Sequence, residues 1–143
     1  MTTRHPEQIA MFLIDTSVWI DVLRDRTGKV RQSLESLLKG ESIFLSHFTQ
    51  MELLQGCRDE REWKLLETYL QDQDYIQQTN NTWIGAARIY YELKRQGITV
   101  RSSIDCCIAQ LSIEYQLTLV HNDRDFDAIQ TVRSFPCLRF HSD

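Results

Sequence analysis

The stretch Met11–Asp21, MFLIDTSVWID, constrains this chain more than any other. Four apolar residues in succession, Met11 to Ile14, stop abruptly at Asp15. A short apolar run of this kind suits a strand covered on both faces, as in a parallel sheet. Asp15, Thr16 and Ser17 are all residue types that cap helix N-termini, and Val18, Trp19, Ile20, Val22 and Leu23 follow as the apolar part of a helix. The local reading is strand, tight turn and helix, with a carboxylate at the carboxyl end of the strand. In open α/β sheets ligands bind along that edge, so the other acids that arrive there decide the chemistry.

The rest of the chain alternates in the same way. Val30, Leu34, Leu37 and Leu38 predict a helix that stops at Gly40. Ile43–Leu45 reads as a strand, and Ser46 then caps a helix through Leu54 that Gly56 ends. A further helix lies between Glu60 and Leu70, with Leu66, Tyr69 and Leu70 on its apolar side, and Asp74–Gln77 is a short strand. Thr82–Gln96 is a helix with Trp83, Ala86, Ala87 and Tyr90 as its stripe. Ser102 or Ser103 opens the next, with Ile104, Ile108, Leu111 and Tyr115 as its core line. Thr118–Val120 and Leu138–Phe140 are strands. Strands alternating with helices predict an α/β fold: a three-layer α/β/α sandwich on a mostly parallel sheet of about five strands. One domain over residues 11–143 accounts for all of it. The polar residues 1–10 read as an N-terminal tail, and Met11 as an alternative start. That tail is no signal peptide, and no apolar run approaches the ~20 residues of a membrane helix. The expected location is cytoplasmic.

Cys57, Cys106, Cys107 and Cys137 fit neither a zinc pattern nor a disulfide framework, and read as small buried residues. The net charge is −4, which argues against broad adhesion to nucleic acid. Four clustered acids would account for all of it, because the remaining acidic and basic residues then balance at 16 each. A cation held by such a cluster restores neutrality, so a nucleic-acid substrate stays open.

Four acids stand out by position. Asp15 ends the first strand. Glu52 sits between Met51 and Leu53, one turn after Phe48, where a carboxylate is costly unless paired or metal-bound; taken singly it is equally a surface residue at the edge of the stripe. Asp105 lies in the first turn of its helix, where the dipole favours an acid with no function needed. Asp123 follows the strand Thr118–Val120 as Asp15 follows the first, and taken singly is a turn residue. Together they would lie on one sheet edge, repel one another and raise one another's pKa values unless a cation holds them. Oxygen-only ligands select Mg²⁺ or Mn²⁺ over zinc. Such ions polarise phosphoryl oxygens and activate water for in-line attack, the chemistry of phosphodiester hydrolysis.

With IDTSVWID, MELLQG, VRSSIDCCIA and HNDRDFDAI in this order, the chain resembles the PIN-domain family, and most of all the VapC-type toxins of bacterial toxin–antitoxin pairs. The separations of 37, 53 and 18 residues between successive acids suit that family. The resemblance implies a metal-dependent endoribonuclease using Mg²⁺ or Mn²⁺, with Asp15, Glu52, Asp105 and Asp123 as catalytic and metal-binding quartet. Ser17 matches a hydroxyl residue beside the first acid, a water or metal-shell partner, and Asp125 an extra acid. Relatives often carry Ser or Thr before the last acids, where this chain has His121. An RNA substrate, a homodimer and a small VapB-like antitoxin covering the acidic pocket are also implied.

Arg24, Arg26, Lys29 and Arg31 cluster in one early loop, and most of the chain's basic residues read as solvated charge. Arg101 and Arg124 are the two that sequence places beside the pocket, as phosphate contacts. Trp63, Leu66, Tyr69 and Leu70 offer either a groove for an antitoxin segment or ordinary core, and Trp19 either core or a base-stacking surface. The alternatives are a non-catalytic metal- or RNA-binding module of the same fold and another Mg²⁺-dependent phosphoryl enzyme. A haloacid-dehalogenase-type phosphatase needs an Asp where Ser17 stands. A response-regulator receiver needs paired acids at the first strand and a lysine where Val120-His121 stands. His5, His47, His121 and His141 show no pairing with a nucleophile.

Overall fold

The computed structural model describes residues 11–140; the expected tail at residues 1–10, His5 and His141 lie outside them. In chain order the elements are β1 (Met11–Ile14), α1 (Thr16–Arg24), α2 (Lys29–Leu37), β2 (Ser42–Ser46), α3 (His47–Gln55) and α4 (Glu60–Gln71). There follow β3 (Tyr75–Ile76), α5 (Asn80–Arg95), α6 (Ser103–Glu114), β4 (Thr118–His121), α7 (Arg124–Ile129) and β5 (Cys137–Arg139). The sheet order is β3-β2-β1-β4-β5, and every neighbouring pair is parallel. The expected α/β/α sandwich is therefore present, with a sheet that is wholly parallel among the described residues.

Alternation along the central strands divides the core in two. Leu13 and Leu119 point to one face, where Ile89 and Leu93 of α5, Ile108 and Leu111 of α6 and Phe126 of α7 cover them. Ile14, Leu45 and Val120 point to the other, against Val18 and Val22 of α1, Leu34 of α2 and Leu70 of α4. Helix α3 closes one edge, since its Phe48 joins the first cluster and its Leu53 the second.

The caps that local chemistry predicts are in place. Asp15 accepts the Ser17 N–H, Ser46 the Thr49 N–H and Ser102 the Ile104 N–H. The faces of α5 are a correction: its buried line is Thr82, Ala86, Ile89 and Leu93, whereas Trp83, Ala87 and Tyr90 are exposed. Helix α5 is apolar on two sides, and packing against α6 selects the branched side chains for the core. Leu37 and Tyr115 are likewise exposed, and the Tyr115 hydroxyl instead donates to the Gln77 carbonyl at 2.8 Å. Trp19 is buried and meets Tyr69 edge to face, which assigns it to the core rather than to a stacking surface.

The topology fixes where a site belongs. After β1 the chain builds outward through β2 and β3, then returns to the opposite side of β1 for β4 and β5. The crevice at the carboxyl ends of β1 and β4 is the switch point where such sheets bind ligands. There the Asp15 N–H donates to the Val120 carbonyl at 2.9 Å and ties the two strand ends together.

Candidate active site

The structure gathers Asp105, Asp123 and Asp125 closely at this edge, and brings Asp15 and Glu52 near enough to act on Asp105 through their charge. Asp15 is the residue after β1 and caps α1; Asp123 follows β4 by two residues and caps α7, accepting the Asp125 N–H at 2.9 Å. Asp105 lies in the first turn of α6 and Asp125 in that of α7. Single oxygens of Asp105, Asp123 and Asp125 lie within 4.8 Å of one another. Asp127, next in the same alternation, turns away to pair with Arg139 at 3.0 Å.

The charges interact across the whole set. Burial first, and then the charges of Asp15, Asp123, Asp125 and Glu52, push Asp105 up to about 8. Asp15 is pushed up to about 6, again by burial first and opposed by its two bonds from Ser17, with the Glu52 charge adding to the rise. Its Oδ1 is buried with no hydrogen-bond partner among the described residues. Mutual repulsion, an orphaned buried oxygen and carboxylate-only donors are what a hard divalent cation would relieve, so the residues fit Mg²⁺ or Mn²⁺.

A surrounding frame fixes these acids, and most of it was invisible in the sequence. The Thr16 hydroxyl donates to Glu52 Oε1 at 2.7 Å and lies 3.0 Å from the Thr49 hydroxyl, so α1 and α3 together hold Glu52 half-buried. The Ser17 hydroxyl donates to Asp15 Oδ2 at 2.6 Å and accepts the Asn122 N–H at 2.8 Å. Asn122 in turn donates its amide to Asp21 Oδ2 at 2.9 Å. In the sequence Thr16 reads only as a cap-type residue and Asn122 carries no signal, whereas Asp21, one helical turn after Ser17, carries a readable one. His121 is buried against Phe126, and its Nδ1 accepts the Asp123 N–H at 3.2 Å. Burial lowers its pKa, so it braces the turn as a neutral ring. Burial also pushes Cys106 and Cys137 up to about 12, leaving inert thiols.

Ser17 therefore acts as a brace, and its loss has a predictable cost. Ser17→Ala leaves the Asn122 N–H without its acceptor and Asp15 with one donor fewer. A loss of about 1–3 kcal/mol is expected by chemical denaturation. Asp15 should also titrate above its present value, read by carboxyl NMR. An unchanged midpoint and an unchanged titration would show that the hydroxyl braces nothing.

Both basic residues expected here are at the rim. Arg101 bonds Asp123 and Asp125 directly, while Arg124, first residue of α7, is exposed and forms no ion pair among the described residues.

The PIN domain family model matches residues 12–132. The chain belongs to the PIN-domain family. Ribonuclease VapC11 of Mycobacterium tuberculosis is 32% identical over 133 residues, covering 91% of this chain and 99% of the relative. Ribonuclease VapC51 of the same organism is 31% identical over 126 residues, or 88% and 90%. In fold, the chain is similar to VapBC2 from Rickettsia felis bound to a promoter DNA fragment, with TM-score 0.74 and 20% identity over 92% of this chain and 99% of that one. DNA-bound VapBC from Salmonella typhimurium gives TM-score 0.72 and 20% identity over 92% and 98%. The matched segment of the PIN domain contains the whole acidic edge.

Proposed function

We propose that this PIN domain is a metal-dependent endoribonuclease, the toxin of a toxin–antitoxin pair, held inactive by a small VapB-like antitoxin in the cytoplasm. The observation that carries the reading is the close grouping of Asp105, Asp123 and Asp125 at one sheet edge, with Asp15 and Glu52 within reach of their charge and a buried Asp15 oxygen unpartnered among the described residues. The ribonuclease names of the curated relatives support the substrate class. VapBC complexes among the similar folds support the partner.

Asp15, Glu52, Asp105 and Asp123 would hold Mg²⁺ or Mn²⁺, with Asp125 as an auxiliary acid. A divalent cation, when bound, polarises a phosphoryl oxygen and lowers the pKa of water at the site. The protein's part is positional. Ser17 and Thr16 hold Asp15 and Glu52 from behind, the strand ends set the spacing of Asp15 and Asp123, and α6 brings Asp105 between them. Arg101 and Arg124 flank the acids as phosphate contacts. Ser17, standing where a phosphatase of the haloacid-dehalogenase type needs its second Asp, is spent as a brace, which disfavours that alternative.

A groove beside the acids suits the antitoxin. Ile20, Leu23, Leu65, Leu66 and Tyr69 line it, Glu52 lies in its wall, and Arg24, Arg26, Arg31 and Arg58 border it. Of the four residues expected there, Leu66 and Tyr69 line it, Leu70 is buried core and Trp63 lies outside the lining, while Leu65, 66% exposed, joins it. Apolar floor and basic border suit an amphipathic segment carrying acids beside its apolar anchors. Helix α5 exposes Trp83, Ile84 and Tyr91 at helical spacing, a face suited to the expected homodimer.

The purified full chain should cut single-stranded RNA in Mn²⁺ or Mg²⁺, stop in excess EDTA and recover when the ion is restored. Equal cutting in EDTA refutes the metal dependence. Cation binding without cutting favours the non-catalytic module.

A further inference from the structure

Arg101 precedes the cap of α6 and touches the acids through both main chain and side chain. Its N–H donates to Asp125 Oδ2 at 3.1 Å, its Nε reaches the same oxygen at 3.4 Å, and its Nη2 donates to Asp123 Oδ1 at 2.9 Å. The guanidinium thus bridges two of the three acids that crowd together with Asp105. The two partners differ in accessibility: the arginine side chain is 78% exposed, against 16% and 15% for Asp123 and Asp125. The acids are fixed by the turn and helix that carry them, whereas the arginine reaches in from solvent. Exposed ion pairs of this type are weak, so the guanidinium leaves at small cost.

We infer that Arg101 is the site's built-in counterion: it bridges Asp123 and Asp125 until a divalent cation displaces it, and the freed guanidinium then takes a phosphate of the RNA. The inference rests on the metal-dependent reading above. Its physical basis is competition, since a carboxylate lone pair that accepts from a guanidinium cannot also donate to a metal. The same planar fork that fits carboxylate fits phosphate, so the displaced group has a second partner of matching shape. Arg124 offers a control: it sits at the same rim and carries the same charge, but has no carboxylate contact among the described residues.

The test is calorimetric titration of MnCl₂ into the EDTA-stripped full chain and into Arg101→Gln, Arg101→Lys and Arg124→Gln, at 0.1 M and 0.5 M NaCl. At 0.1 M NaCl Arg101→Gln should bind Mn²⁺ about fivefold more tightly; at 0.5 M NaCl, where salt already weakens the exposed Arg101 pairs of the parent, the gain should shrink yet stay above that of Arg124→Gln. Arg101→Lys, which keeps the charge, should gain less. Arg124→Gln should gain only what salt screens away. At saturating Mn²⁺, Arg101→Gln should nevertheless show a raised KM for RNA, so the two readouts move in opposite directions. A merely structural role would weaken both together. If the parent binds Mn²⁺ and Arg101→Gln binds it equally or less tightly, the counterion role is overturned while the nuclease reading stands. If the parent takes no Mn²⁺, both are overturned.

Discussion

Asp15→Asn and Asp105→Asn should each abolish RNA cleavage and leave a folded protein. Each substitution replaces an oxygen of the carboxylate set by an amide that neither carries charge nor binds a hard cation well. Losing the several kcal/mol of charge stabilisation a metal supplies lowers the rate by about 10³-fold or more. The fold should survive for a reason the structure supplies. Both carboxylates are buried, and burial is the largest cause of their raised pKa values. Below those values an asparagine of the same shape stands in for the protonated acid, and above them it removes a buried charge from a crowded set. In Asp15→Asn the side-chain carbonyl still offers one oxygen to the donors of Ser17, which keeps the α1 cap. Above pH 8, metal-free Asp105→Asn should melt higher than the parent, because there the parent's Asp105 is largely ionised against four neighbouring acids. Initial cleavage rates at saturating Mn²⁺, alongside thermal melts, read both effects. A rate for Asp105→Asn within tenfold of the parent would remove that residue from the catalytic set.

What the sequence made legible was local chemistry. The apolar run before Asp15 gave β1, Asp15, Ser46 and Ser102 announced the starts of α1, α3 and α6, and chain order then placed the acids on one edge. The sheet needed no long-range knowledge, since parallel connections keep like strand ends together. The phase of α5 was not legible. Trp83 and Tyr90 offer as much ring surface for burial as Ile89 and Leu93 offer aliphatic surface, and only the neighbouring helix decides which side is covered. The frame of the site was hidden for another reason. Thr16 and Glu52 are 36 positions apart, Ser17 and Asn122 are 105 apart, and Asn122 and Asp21 are 101 apart. No local pattern marks such pairs: Glu52, Ser17 and Asp21 are conspicuous singly, but nothing near them in sequence points to Thr16 or Asn122 as the partner. Arg101 was placed at the pocket by nearness to Asp105 in sequence, yet its contacts are to Asp123 and Asp125 across the crevice.

Without metal, the protein should lose stability steadily as pH rises from about 5 to 8, and Mn²⁺ should remove that slope. The sign follows from the two raised acids. Below the ordinary aspartate value of 3.8, Asp15 and Asp105 are protonated in folded and unfolded chains alike. Above it the unfolded chain releases their protons, while the folded chain holds them up to about 6 for Asp15 and about 8 for Asp105. The folded state then binds more protons, so stability falls with pH, at about 1.4 kcal/mol per pH unit for each such group. The fall eases above 6, when only Asp105 still contributes, and ends above 8. Glu92 works in the other direction, held down to about 2 chiefly by Arg133. Its contribution is complete once pH exceeds the ordinary glutamate value of 4.5, so it adds no slope within the window, whereas His121, its pKa lowered by burial, adds a rise with pH up to its ordinary value of 6.5 that offsets part of the fall. A metal that binds the ionised acids and only the folded site would flatten the profile, so saturating Mn²⁺ should also raise the melting temperature. At pH 7 binding should release about one proton, chiefly from Asp105, measurable as a dependence of the calorimetric heat on the buffer's ionisation enthalpy. A melting temperature in EDTA that stays level from pH 5 to 8 would mean the acids are not crowded in solution as they are at this sheet edge, and the cation site would lose its physical basis.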